Sequence, residues 1–522
     1  MTTDETPTVA ADAPAPTDDL VTTHHTISTV DGDLSYTATT GRIVLGSEKI
    51  ANNAFTAHMP QALMGITAYT LDDTDPTTRP LTFVFNGGPG SSSVWLHMGL
   101  VGPRVVDPGT PEEPATPPFH LIDNGHTLLR ETDLVVIDAM STGYSRVVDG
   151  EDPNQWHGWS KDVELVSELI RLWVTRHGRW GSPLYLLGES YGTVRAVSVA
   201  QRLQDTFSLY LNGIILVSSV LDFGNQDFED LTWDRACVDF LPTYAAVAHY
   251  HGHNSDRGLE DVLAEAEEFA DGPYRQALAA GHRLDPAERA QVTATLSQLT
   301  GLDVSYIERA NLRIEHMRFC TELLRGEGKV VGRIDGRYKG ALPKRTDEVA
   351  DTDPSGDDTG AAFVHGFQHY LRSELEVTTE SQYNLGLPLY RNWNYKEFQG
   401  RPVNVTDKLE RVMRAQKGLH VRVEYAHYDL ATPYFAARDT INHLKLDDDA
   451  FDRIEEAFFD TGHMPYLGCR DEEADGIATF IRRTSGRPVT EVLEENAEDH
   501  LSLIHISEPT RQRQPSRMPS SA

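Results

Sequence analysis

Cysteine is scarce in this chain: Cys237, Cys320 and Cys469 are the three in 522 residues, none in a C-x-x-C pair and none with a histidine at metal-ligand spacing. That excludes a disulfide-built scaffold and a sulfur-ligated metal site. Free buried thiols are expected, with one bridge left open. Positive charge is short too. Lys and Arg number 46 against 79 Asp and Glu, a formal net charge of −33, and without a basic footprint neither nucleic acid nor a membrane surface is expected as a partner. No apolar run approaches the roughly 18 residues of a membrane span. The stretch from Met1 to Pro16, rich in Thr, Asp, Ala and Pro, has neither the basic start nor the apolar core of a secretory signal. Cytoplasmic residence is the expectation, with export by another route left open. Nothing in the sequence speaks to oligomeric state.

What is present is a run of buried-strand and helix signals in alternation. Leu81–Phe85, Thr132–Asp138, Leu184–Leu187 and Gly213–Ser218 are short apolar strands. Apolar residues at Val163, Val166, Leu169, Ile170 and Trp173 have helical spacing. Strands alternating with helices imply a mostly parallel, doubly wound sheet covered on both faces. Before it, from His24 to about Ile66, D-G and T-G turns separate Thr- and Val-rich segments that read as antiparallel edge strands. Between about 222 and 403 the rhythm changes to helices at Ala245–Tyr250, Leu259–Ala270, Pro286–Leu299 and Val304–Leu324, with strand-like Glu327–Tyr338 and Tyr383–Trp393. Asp351–Asp358 reads as a solvated loop. Alternation resumes with a helix Val405–Gln416, a strand Leu419–Tyr425 and a closing helix near Asp471–Arg483. The expected division is a disordered lead-in 1–22, core 23–222, a mainly helical cap 223–403, and the second part of the core 404–500.

The chemistry centres on Gly188-Glu-Ser-Tyr-Gly192, a G-x-S-x-G turn between a strand and a helix. That turn presents the Ser190 hydroxyl above the sheet, with the helix N-terminus and the N–H of Tyr191 beneath any negative charge that forms there. Asn86-Gly-Gly-Pro-Gly-Ser-Ser-Ser93 follows an early strand. It lacks the G-K-[ST] of a phosphate loop but suits an oxyanion loop. An activated serine needs a base and a carboxylate to orient it. Asp429 and His463 each lie just past an expected strand, so the chain order Ser190, Asp429, His463 is that of an α/β-hydrolase fold.

The chain resembles the serine carboxypeptidases, peptidase family S10. The likeness rests on N-G-G-P-G-S-S at 86–92, G-P at 102–103, T-G-Y-S at 142–145, G-E-S-Y-G at 188–192, F-L-P-T-Y-A-A at 240–246, Y-D-L-A-T-P at 428–433 and G-H-M at 462–464. It implies a serine-type carboxypeptidase acting on peptides with no cofactor or metal. Ser190 would be nucleophile, His463 general base and then acid, and Asp429 its orienter. The N–H groups of Gly88 and Tyr191 would form the oxyanion hole, and Asn86 and Glu189 would hold the substrate's terminal carboxylate. Two carboxyl groups in contact share a proton, so activity should favour acidic pH. The same site on this fold also suits an esterase or acyltransferase. Three positions depart from the family: Ser91 replaces a bridged cysteine, Leu100 stands where a carboxylate-binding glutamate is expected, and the loop 139–143 lacks the usual proline. Leu501–Arg511 and Ser516–Ala522 resemble translated sequencing adapter, and 501–522 are read as a non-native tail.

Overall fold

The computed structural model describes residues 16–51, 54–229 and 234–486. The tail 501–522, and residues 1–15 of the expected lead-in, lie outside them. The rest of that lead-in is partly structured, because the first strand begins at Asp19.

One sheet organises the fold. Its strands are β1 Asp19–Thr29, β2 Gly32–Ala51, β3 Ala54–Leu71, β4 Leu81–Phe85, β5 Asp133–Ile137, β6 Leu184–Glu189, β7 Gly213–Val217, β8 His420–Ala426 and β9 Ile454–Phe459. Their order across the sheet is β1-β2-β3-β5-β4-β6-β7-β8-β9, and the short strand Arg146–Val147 also pairs with β3. The first three strands form a long antiparallel ribbon that joins β5 antiparallel, and every later pairing is parallel. Strands β4 to β7 are buried along their whole length, which is why they read as near-continuous apolar runs.

Alternation sorts the side chains of these strands onto two faces. Leu184, Leu186, Ile214 and Leu216 pack with helices α1 (Trp159–Arg176) and α2 (Tyr191–Phe207) through Val163, Val166, Val194 and Val197. Tyr185, Leu187, Ile215 and Val217 pack against Ile477, Phe480 and Ile481 of the last helix, Tyr466–Thr484. This mostly parallel sheet with helices on both faces is the α/β-hydrolase fold.

Several boundaries differ from the sequence reading. The helix expected at Ala245–Tyr250 begins at Arg235 and carries Pro242 in its interior, a residue that reads as a stop. Its buried apolar face outweighs that local signal. The single helix expected over Val304–Leu324 is two, Val304–Arg309 and His316–Glu322. Asn311 and Leu312 between them take positive φ, and the hydroxyls of Tyr274 and Tyr244 donate to the carbonyls of Leu312 and Ile314. Asp351–Asp358 is not a loop throughout: Asp353 caps a helix, Pro354–Ser373, that starts on the proline. Three interior glycines hid that helix. Only Lys329–Val331 of the expected strand Glu327–Tyr338 is a strand, and Tyr383–Trp393 is an irregular segment with isolated bridges. All three cysteines are free, Cys469 only half-buried. Among the described residues no helix is long and apolar enough to cross a membrane.

Candidate active site

Sheet register brings the predicted residues together. Phe85 pairs with Gly188 and Val217 with both Glu189 and Glu424, so Asn86, Ser190 and Ser218 leave adjacent strands at the same edge. Ala426 pairs with Phe459, which starts the loops bearing Asp429 and His463 from that edge too.

Ser190 occupies the sharp turn from β6 into α2, with φ 61° and ψ −129°. A non-glycine residue held there is strained, by about 1–3 kcal/mol. The turn closes because Gly188 and Gly192 touch: a Cβ on Gly188 would run into the Gly192 carbonyl. The Ser190 N–H donates to the Val217 carbonyl at 3.0 Å. The residue is half-buried, and its hydroxyl makes no hydrogen bond among the described residues.

Asp429 is fully buried and takes four donors. Its Oδ1 accepts the N–H groups of Ala431 (2.7 Å) and Thr432 (2.9 Å); its Oδ2 accepts the Thr432 hydroxyl (2.5 Å) and His463 Nδ1 (2.7 Å). With Nδ1 held as the donor, Nε2 is left as the basic nitrogen. Ser218 Oγ donates to the His463 carbonyl at 2.7 Å. The end of β7 therefore links the serine turn on one side to the histidine loop on the other.

A tight turn grips both loops. The His463 N–H donates to Ile334 O at 2.7 Å, the Leu430 N–H to Arg333 O at 3.1 Å, and the Gly336 N–H to Tyr428 O at 3.0 Å. Arg337, paired with buried Asp335, also reaches Thr461 Oγ1 at 2.7 Å. This turn stands where the sequence suggested a strand.

On the other side, Asn86 Nδ2 donates to Glu189 Oε1 and Tyr466 Oη to Glu189 Oε2, each at 2.7 Å. Burial pushes the Glu189 carboxyl up to about 7, although His463, Tyr466 and Asn86 pull it down. Burial works to lower His463, but the charges of Asp429 and Glu189 prevail and hold it above its ordinary value. The glycine loop lies against the serine turn: a Cβ on Gly87 would fall 2.5 Å from the Tyr191 nitrogen. Gly88 has φ 110°. Among the described residues neither the Gly88 nor the Tyr191 N–H is engaged, which leaves two donors beside Ser190.

Sequence reasoning missed the supports. Arg195, fully buried, pairs with Asp162 at 2.8 Å, reaches the Asn86 carbonyl, and lies over the rings of Tyr191 and Phe85. A lone charge in the small apolar helix Tyr191–Val197 was the available signal. Thr432 lies inside the Y-D-L-A-T-P motif and Tyr466 two residues past G-H-M, but their roles became visible only through their partners, Asp429 and Glu189. Trp393 Nε1 donates to Tyr191 Oη at 3.0 Å, so the 383–394 segment covers the turn. The departing loop at 139–143 is tied to that segment, Asn384 Nδ2 donating to Ser141 O at 2.9 Å. Leu100 is fully buried, with its carbonyl held by Asn124, and supplies no second acid.

Residues 68–456 match the family model for serine carboxypeptidase. Over 199 residues the chain is 29% identical to the pheromone-processing carboxypeptidase KEX1 of Yarrowia lipolytica, a match covering 37% of this chain and 29% of that protein. The crystal structure of Kex1(delta)p, a prohormone-processing carboxypeptidase from Saccharomyces cerevisiae, superposes with a TM-score of 0.53 at 15% identity, covering 86% of this chain and 91% of the other. With the strand order, the serine turn and a family match over most of its length, this chain belongs to the serine carboxypeptidase family.

Proposed function

We propose that the protein is a serine-type carboxypeptidase that removes C-terminal amino acids from peptides. The observation that carries this reading is the convergence, at one sheet edge, of a strained serine, an Asp429–His463 pair and a buried Asn86–Glu189 pair. Ser190 Oγ attacks the last peptide carbonyl as His463 Nε2 takes its proton. The N–H groups of Gly88 and Tyr191 hold the oxyanion. His463 then returns the proton to the departing amino nitrogen, and the C-terminal amino acid leaves. Water, activated by the same imidazole, frees the shortened peptide from Ser190. Asn86 and protonated Glu189 bind the terminal carboxylate. Peptides with an N-terminal block and either a free or an amidated C-terminus test the reading. Only the free acids should be cut, and equal cleavage of both forms, or of simple esters alone, would mark an esterase or acyltransferase instead.

The two titrating groups set opposite limits on pH. The productive form has Glu189 protonated and the imidazole neutral. Above about 7 Glu189 ionises and repels the substrate carboxylate; at lower pH His463 protonates and ceases to be a base. A bell-shaped kcat/KM is expected, with its alkaline limb near 7. Glu189→Gln cannot ionise, so its alkaline limb should vanish. Its acid limb should also move to lower pH, because the charge that helps to raise His463 is gone. A profile for the unaltered enzyme that climbs steadily through about pH 8 would contradict this. Stability follows the same sign: the folded Glu189 lies above its ordinary 4.5, so its contribution is complete below that value and is lost as pH rises through about 7.

A further inference from the structure

Arginines around the site are matched by carboxylates: Arg195 by Asp162, Arg337 by Asp335, Arg422 by Glu424. Arg333 is not. It is half-buried, and among the described residues its guanidinium has neither an ion pair nor a hydrogen bond. Its backbone is fixed between the two loops of the candidate triad, since its carbonyl accepts the N–H next to Asp429 and the following carbonyl accepts the N–H of His463. Asp353, the nearby acid, spends Oδ2 on the N–H groups of Arg333 and Ile334, at 3.2 and 3.1 Å. The Arg333 charge still acts on the imidazole of His463, opposing its protonation.

A guanidinium with no counter-charge among the described residues, carried on backbone anchored beside the reacting groups in a chain of net charge −33, is a ready partner for a carboxylate that arrives with the substrate. Its planar fork suits that group better than any other side chain does. The terminal carboxylate is already served by Asn86 and Glu189. Glu189 is held between Asn86 and Tyr466, whereas Arg333 is carried on the separate 329–341 segment, whose turn is bonded to the histidine and aspartate loops. A second carboxylate must therefore come from a substrate side chain.

We propose that Arg333 is a specificity-determining residue that selects peptides with an aspartate or glutamate side chain next to the scissile bond. The proposal deepens the carboxypeptidase reading and rests on it.

The test compares kcat/KM for N-blocked dipeptides differing only as Glu or Gln, first at the penultimate and then at the C-terminal position, with a Lys member in each series. In the unaltered enzyme Glu should exceed Gln by about ten- to a hundredfold in one series, the worth of a charge-assisted hydrogen bond. Arg333→Gln should bring that ratio to about one with cleavage of Leu-containing peptides kept, and Arg333→Glu should turn the preference toward Lys. An unaltered enzyme that treats Glu and Gln alike in both series overturns the proposal. So does an Arg333→Gln enzyme that keeps the ratio, or that loses all substrates equally. N-blocked Glu and Gln p-nitrophenyl esters read the same ratio without a peptide bond. If no peptide is cut, the carboxypeptidase reading falls, while Arg333 is still judged on the esters.

Discussion

Replacing Ser190 with alanine should lower kcat/KM for a blocked dipeptide by about a million-fold, because the hydroxyl is the only atom that forms the acyl bond. Stability should not follow. The Ser190 hydroxyl has no hydrogen-bond partner among the described residues, so deleting it removes no interaction, and alanine meets the same backbone strain at φ 61°. Ser190→Gly should be equally inactive yet gain about 1 kcal/mol, since glycine adopts positive φ without the Cβ penalty. Asp429→Asn should cost about ten-thousand-fold, by presenting His463 in the wrong tautomer. Single-turnover kinetics and thermal melts of the set check the separation. A Ser190→Ala enzyme with appreciable activity would remove the nucleophile from this account.

The largest expected loss of stability lies beneath the site. Arg195→Met leaves Asp162, itself almost wholly buried, without a counter-charge, and breaking one side of such a pair costs about 3–5 kcal/mol. Burial already raises the Asp162 carboxyl, with Arg195 opposing that rise, so the single variant should bind a proton there. The double variant Arg195→Met/Asp162→Val should recover most of the stability, because two buried charges are withdrawn together. It should not recover activity, since the Asn86 carbonyl has also lost its hold on the Arg195 guanidinium and the glycine loop beside Ser190 is no longer tethered. Urea melts and kcat/KM measured on the same three proteins would show whether the two losses separate. Parallel recovery of both would mean that Arg195 serves stability alone.

Much of the fold was legible because its signals are local. The strands β4 to β7 are short, apolar and buried on both faces, so composition alone marks them. The serine turn and the glycine loop announce themselves through residues that a tight turn needs. Asp429 and His463 were legible through order, each a few residues past a strand, and through the Y-D-L-A-T-P and G-H-M motifs that carry the family resemblance. Irregular parts were not. The helix from Pro354 is hidden by Gly356, Gly360 and Gly366, and the break near Asn311 depends on tyrosines from two other segments.

Local chemistry, then, determined the sheet and the three triad candidates, while the residues proposed to hold the oxyanion and the carboxylate were completed by the family resemblance. Tertiary structure decided which of them meet, that Glu189 is enclosed by Asn86 and Tyr466, that the turn at 332–338 grips both the aspartate and histidine loops, and that Arg333 has no counter-ion among the described residues. The reason is physical. Strand and turn preferences are set by neighbours in sequence, whereas burial, proton affinity and charge pairing depend on groups hundreds of residues apart that only the register of the sheet brings into contact.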